Sequence, residues 1–327
     1  MRAAIFIVLV ASIDRGLGLL LRELHARTKE GDFGGCVNYA LLQRNDVVVF
    51  GSSRAKHHYV PDRLEATTGQ SFFNAGIDAQ SILCHFGIAQ LLLAEYTPKA
   101  FILELDLVHD REALEREYLD KLNILLPFYR RGNATLNEWI LKRSRFERFK
   151  LMSRTYPYNS MLLPMLKYTL NRGSEGTVKS RGFIPYYGSD VIEIVRIERE
   201  SIALRDETVP AVNPFYAGLL RDFVMSARER NVKVFVCTGP LWEQGEQEAA
   251  RRKSLIDAYS RLLEQLEVPL IRIDDSTDEI FQNPDVYKDR IHLNDRGAQE
   301  FSTILGERLR GYLKHPETQP MSGLGAD

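Results

Sequence analysis

Neither sign of charge is in excess in this chain: Lys and Arg total 43, Asp and Glu 44. So even a balance argues against nucleic acid as the main partner, because proteins that bind it carry a basic surplus. Cysteine is scarce. Cys36, Cys84 and Cys237 are far apart and odd in number, with no Cys-x-x-Cys pair. That spacing supports neither a disulfide framework nor a zinc cage. Cys84 and Cys237 lie in apolar runs and read as small core residues. No Gly-x-Gly-x-x-Gly, no P-loop and no internal repeat is present, so nucleotide binding has no support. No metal or organic cofactor is expected.

What the chain does have is ordinary globular composition over 327 residues, 44% hydrophobic and 27% charged. That suffices for one large or two modest cores. The head of the chain stands apart. Ala3 to Ile13 is almost unbroken apolar sequence behind Arg2. Asp14-Arg15 interrupts it, and Leu17 to Leu21 resumes it. Residues 3–21 together have about the length of a membrane span. Two central charges cost about 5–7 kcal/mol on the insertion scale, and the aliphatic side chains return a similar amount. No small-x-small cleavage site follows cleanly. Residues 1–30 are therefore expected to form an uncleaved membrane anchor, with a buried helix of a soluble domain as the alternative. Arg2 on one side and Arg22, Arg27 and Lys29 on the other leave the orientation open.

Behind the head, strand-like runs alternate with helical ones. Strands are expected at Val47–Gly51, Ser71–Asn74, Ala100–Leu107, Val232–Thr238 and Pro269–Ile273. Helices are expected at Gln80–Tyr96, Pro214–Arg230, Ala249–Leu266 and Asp295–Leu313. Asn213 is placed to cap the second of these helices, with Pro214 at its first position. Such alternation implies an α/β domain with a mostly parallel sheet covered on both faces. Ligands in these folds bind beyond the carboxyl ends of the strands. Ser53, Gly76, Asp106 and Gly239 each fall at or just after an expected strand end. Residues 109–212 break the alternation. They are helix-rich and aromatic, and too long for a plain connection. They read as a helical insertion or cap between the two parts of the domain, 44–108 and 213–315. Residues 316–327 read as a flexible tail.

Two short segments carry the chemistry. Val47-Val48-Val49-Phe50-Gly51-Ser52-Ser53-Arg54 is a strand breaking into a turn that exposes a hydroxyl. An amide at such a turn contributes part of an oxyanion hole. Asp289-Arg290-Ile291-His292-Leu293-Asn294 places an acid three residues before a base. A carboxylate at that spacing reaches the imidazole Nδ1 and leaves Nε2 free to take a serine proton. Either segment alone is weak: Ser53 could merely cap a helix, and Asn294 or Asp295 could merely cap the last one. Their conjunction is the strong signal.

With these segments the chain resembles the SGNH/GDSL hydrolase superfamily. Gly51-Ser52-Ser53 stands where that family has Gly-Asp-Ser. Asn74-Ala75-Gly76-Ile77 resembles its Asn-x-Gly-Ile block, and Asp289-x-x-His292 its last block, with Gly297-Ala298 following in a helix. The resemblance covers about 46–79, the third strand and 232–313, but not the insertion. It implies a flavodoxin-like three-layer sandwich. It also implies Ser53 as nucleophile, His292 as base, Asp289 as its partner, and the amides of Ser53 and Gly76 as oxyanion donors. More narrowly, GSSRAKHHYVP behind a hydrophobic segment resembles a bacterial subgroup that is often membrane-anchored and associated with cell-surface polysaccharide modification.

Two departures stand out. Ser52 replaces the family aspartate, which is not the triad acid. The third strand ends Glu104-Leu105-Asp106-Leu107 where the family has Gly-x-Asn-Asp, so the side-chain oxyanion donor is missing. An ionised Asp106 would repel an oxyanion, and one lost donor costs roughly 3–4 kcal/mol. Either Arg54 or a residue of the insertion fills the role, or catalysis is weaker or differently directed. Arg54, Asn74, Asp106 and Asn294 are candidates for substrate binding. His57-His58 read as structural residues, not a metal site. Lys142, Arg143, Arg145, Arg148 and Lys150, interleaved with Phe146 and Phe149, form a basic patch able to touch anionic lipid or simply to be solvated. The turn Gly182–Gly188 could stack on a sugar or pack against the sheet.

The expected activity is a serine esterase acting on O-acyl groups, O-acetyl first, of carbohydrate. An O-acyltransferase of surface polysaccharide is the alternative, as is an inactive glycan-binding or scaffold module. The expected location is a membrane-anchored protein with its catalytic domain outside the cytoplasm, with a cytoplasmic one as the alternative.

Overall fold

A computed structural model describes residues 1–105, 114–131, 133–170, 176–191, 212–242, 246–274 and 276–314. In chain order the strands are β1 Val47–Phe50, β2 Phe72–Asn74, β3 Ala100–Glu104, β4 Lys233–Thr238 and β5 Leu270–Arg272. The helices used below are α1 Arg2–Arg27, α2 Gly35–Gln43, α3 Ser53–His58, α4 Pro61–Thr68, α5 Ile82–Glu95, α6 Leu114–Lys121, α7 Ala134–Lys142, α8 Glu147–Lys150, α9 Leu162–Leu170, α10 Pro214–Arg228, α11 Glu246–Gln265 and α12 Asp295–Lys314. Contacts divide the chain into two compact units. The first gathers the described parts of Met1–Arg44, Gln80–Tyr96 and Glu115–Lys179. The second gathers those of Asn45–Ala79, Thr97–Leu114 and Ser180–Asp327. The expected insertion at 109–212 is thus shared out: its middle belongs with the head of the chain and α5, whereas Ser180–Val191 belongs with the sheet.

The second unit is an α/β three-layer sandwich. Its five strands are all parallel, in the order β2-β1-β3-β4-β5. This is the flavodoxin-like order, which reverses direction between β1 and β3. Short runs of Val, Phe, Ile and Leu buried on both faces make these strands, as parallel sheets require. Alternate residues face opposite layers. Val47, Val49, Ala100, Ile102, Phe235 and Cys237 join one core with Leu64 of α4 and Phe301, Leu305 and Leu309 of α12. On the other face Phe50 meets Phe101 edge-on at 5.1 Å and Phe223 of α10 at 5.6 Å. Tyr216 of α10 meets Tyr259 of α11 at 5.6 Å, so α11 lies on that same side. The expected cap on α10 is in place: Asn213 Oδ1 accepts from the amides of Phe215 and Tyr216 at 2.9 and 3.2 Å.

The first unit is helical. In α5 every residue from Ile82 to Leu93 is buried, which fits its lack of a polar face. Gly87 lets α5 approach closely enough that an added Cβ would lie 2.5 Å from Leu125 Cδ1. Asn38 closes the end of α1, donating from Nδ2 to the carbonyls of His25 and Thr28 at 2.7 and 3.0 Å. Among the described residues, α1 is the helix whose length and composition allow it to cross a membrane or to act as a signal sequence.

Candidate active site

The hydroxyl and the imidazole meet. His292 Nε2 lies 2.7 Å from Ser53 Oγ, and its Nδ1 lies 2.8 and 3.0 Å from the two Asp289 oxygens. A carboxylate only accepts, so Nδ1 carries a hydrogen and Nε2 presents its lone pair to the serine. The site sits beyond the carboxyl end of β1, beside the reversal between β1 and β3 where this sheet order opens a crevice.

Local sequence explains each arm. β1 ends at Phe50, and Gly51 turns the chain at φ 152°, where L side chains are strained. A Cβ there would also lie 2.8 Å from both Ala55 Cβ and Glu104 Cβ. Ser53 follows as the first residue of α3. Its amide has no carbonyl partner inside so short a helix and carries the positive end of the turn.

The base is held from several sides. Asp289 Oδ1 also accepts from the Ile291 and His292 amides, each at 2.9 Å. Burial pushes the Asp289 carboxyl up, but hydrogen bonds from His292 and the Ile291 amide outweigh it and hold the group below its ordinary value. Leu293 donates from its amide to His58 Nε2 at 2.9 Å, tying the base loop to α3. His58 is fully buried, and burial, then the charge of Arg54, keeps it neutral far below its ordinary value.

Several candidates from the sequence turn out to be structural. Asn294 is buried. It donates to the carbonyls of Asp285 and Gly188 at 2.7 and 3.2 Å and accepts from the Gly297 amide at 3.1 Å. It therefore caps α12 and fastens the base loop instead of facing substrate. Asn74 is also buried, donating to the Ala55 and Tyr59 carbonyls at 2.7 and 2.8 Å. Its Oδ1 accepts from the Gly76 amide at 2.9 Å. The Gly76 donor assigned to an oxyanion is thus already engaged, and Asn74 is a brace and not a substrate contact. Gly76 is needed for packing: a Cβ would lie 2.4 Å from the Lys56 nitrogen.

Arg54 is corrected in the same way. It is 4% exposed, and its Nη2 donates to Glu104 Oε1 and to the Gly239 carbonyl, each at 2.7 Å. The strand end supplies the reason: Glu104, a buried acid, needs a cation beside it. Tyr59 donates its hydroxyl to the other Glu104 oxygen. Burial and then the Glu104 charge push the Tyr59 phenol well up. Asp106 lies outside the described residues.

Around the base stand His57 and the aromatic turn Gly182–Gly188, together with Asp78, which the sequence did not point to. Tyr186 stacks on His57 with ring centroids 3.8 Å apart, and each ring meets His292 edge-on, at 5.4 and 5.9 Å respectively. His57 Nδ1 lies 2.6 Å from the Ile184 carbonyl and its Nε2 3.2 Å from Asp78 Oδ1. Both partners are acceptors, so the ring is held between them. Lys56 Nζ reaches the other Asp78 oxygen at 3.0 Å. Burial raises the Asp78 carboxyl, but the His57 bond and the Lys56 charge prevail and push it down to about 2. The aromatic turn Gly182–Gly188 therefore packs beside the base, with Tyr187 left exposed. A separate hollow lined by Arg228, Lys233, Pro269 and Tyr312 lies at the amino ends of β4 and β5, away from the triad.

Among the described residues no cluster of His, Cys, Asp and Glu could hold a metal ion. Comparison with protein-family models gives no match, and comparison with curated proteins gives none.

Proposed function

We propose that this protein is an SGNH-type serine esterase, working through an acyl-enzyme on O-acyl groups of carbohydrate. The observation that carries the reading is the relay itself: Ser53 Oγ at 2.7 Å from His292 Nε2, with Asp289 on the far nitrogen. His292 takes the Ser53 proton as Oγ attacks the ester carbonyl. The tetrahedral adduct collapses, its bond to the alcohol oxygen breaks, and His292 returns the proton to the departing alcohol. Water then attacks the acyl-serine with His292 again as base, releasing the carboxylic acid and restoring Ser53. A sugar hydroxyl in place of that water gives O-acyl transfer. The amide of Ser53, at the start of α3, is the donor proposed for the developing oxyanion.

A second reading, a non-catalytic glycan-binding module, is favoured by one observation. The Gly76 amide is bonded to Asn74 instead of facing the cleft. A fluorophosphonate probe separates the two. The esterase reading expects labelling of the wild type and none of Ser53→Ala, which lacks the oxygen the probe bonds to. Absence of wild-type labelling in a folded sample supports the binding module.

We also read α1 as a membrane anchor that keeps the catalytic unit at the extracytoplasmic surface. Its support is length, composition and the exposure of every residue from Arg2 to Ile13.

A further inference from the structure

We propose that Phe146, Phe149 and Met152, together with Arg145 and Arg148, form a surface that rests on the headgroups of an anionic bilayer, level with Asp14 of α1. This rests on the reading of α1 as a membrane helix and adds where that membrane ends.

The charges that interrupt the apolar run locate the boundary. The Asp14 carboxylate accepts from Ser153 Oγ at 2.6 Å, the Arg154 amide at 2.8 Å and Thr155 Oγ1 at 2.9 Å. Arg15 donates to the Met152 carbonyl at 3.0 Å. Next to them Gly18 packs so tightly that a Cβ would lie 2.3 Å from Arg154 Cβ. Asp14 and Arg15 are thus fastened to a folded, irregular turn. Hydrocarbon does not accept such a turn, whose backbone polar groups would lose water. The lipid-facing stretch therefore ends near Asp14, so that Arg2–Ile13, about 18 Å of helix, enters the hydrocarbon layer of about 30 Å without crossing it, and the turn at 152–155 lies at the water interface. Leu17, Leu19 and Leu20 remain exposed just beyond. A tilted helix leaves one side in the headgroup zone in this way.

The residues leading into that turn have interfacial chemistry. Phe146, Phe149 and Met152 are 51%, 67% and 66% exposed. The Arg145 guanidinium lies 4.5 Å from the Phe146 ring centre. The cations around them differ in their pairing. Arg143 and Lys150 share the single carboxylate of buried Glu147, at 2.8 and 3.1 Å. Arg145 and Arg148 have no carboxylate partner among the described residues. Exposed aromatic rings beside unneutralised arginines, next to an apolar helix, match the headgroup layer of an anionic membrane.

The test uses the full chain reconstituted in vesicles of phosphatidylcholine with 30 mol % phosphatidylglycerol, roughly the anionic content at which such attraction is strong. Single cysteines replace Ile7 or Phe149 and carry an environment-sensitive fluorophore. Quenching is compared between headgroup-proximal spin-labelled lipid and aqueous iodide. The proposal expects lipid quenching at both positions. Arg145→Gln with Arg148→Gln should weaken the position-149 contact about 30-fold on anionic vesicles and leave it unchanged on neutral ones, from about a five-fold contribution per arginine. Lipid quenching at 7 with iodide quenching at 149 overturns the surface and leaves the anchor. Shielding of 149 from both quenchers means that protein covers it, which also overturns the proposal. Iodide quenching at both 7 and 149 removes the anchor as well.

Discussion

Two turns at the carboxyl edge of the same sheet have opposite economies of hydrogen bonding. After β1, the Gly51–Ser53 turn directs its hydroxyl outward to His292. After β2, the Asn74–Gly76 turn keeps its polar groups inside, with the Asn74 side chain holding two carbonyls and the Gly76 amide. In the proposed function the first reacts, and the second holds it in place, since the carbonyls it grips belong to α3 and to Tyr59 just behind it. Two neighbouring turns thus divide into one arm proposed to react and one that supports it.

The contrast can be broken from either side. On the reacting side, Asp289→Asn should leave the backbone in place yet present the wrong imidazole tautomer to Ser53. Hydrolysis of an aryl acetate should fall about ten-thousand-fold at neutral pH. An unchanged rate would mean that Asp289 does not orient the base. Beneath the reacting turn, Arg54→Met strands the buried Glu104 carboxylate and should lower unfolding stability by about 3–5 kcal/mol in urea. The double variant with Glu104→Gln should lose less. A single variant as stable as the wild type would return Arg54 to the list of substrate contacts.

The supporting side should respond differently. Asn74→Ala leaves the Gly76 amide and two carbonyls without their partner and should cost about 3 kcal/mol of stability. The fluorophosphonate labelling rate of the folded fraction should change by no more than about three-fold, a margin of about 0.7 kcal/mol. A far larger drop would make that turn part of the reacting machinery. The smallest effect concerns Asp78, whose carboxyl is pushed from 3.8 down to about 2. A depressed folded value stabilises the protein above the unfolded value, and the gain disappears as pH falls through the folded value. Asp78→Asn should therefore lower the urea midpoint at pH 7, and the gap should close between about pH 4 and pH 2. With the Asp78 side chain 41% exposed, solvent screening limits the effect to about 1 kcal/mol.

Local chemistry made the frame legible in the sequence. β-branched runs marked β1 and β4, and Asn213-Pro214 marked the start of α10, because these signals act over a few residues. The meeting of Ser53 with His292 and Asp289 was legible because strand, turn and spacing dictate what those side chains can reach. Where an amide points was not legible. Gly76 matched an oxyanion block, yet its direction is set by the Asn74 side chain, which tertiary packing orients. Arg54 reads as a substrate contact in isolation, and Glu104 on another strand decides otherwise. The pairing of His57 with the Ile184 carbonyl joins residues 127 positions apart, and no local pattern announces it. The head of the chain shows the same limit. Its apolar length is plain, but the turn that receives Asp14 lies about 140 residues downstream.

The bond from the Leu293 amide to His58 has a wider implication. It clasps the neighbour of the base to the helix that begins with the nucleophile, so neither arm can drift without straining the other. Reactivity should consequently be lost in a single step with the cooperative melting of the sheet, with no gradual loosening of the cleft beforehand.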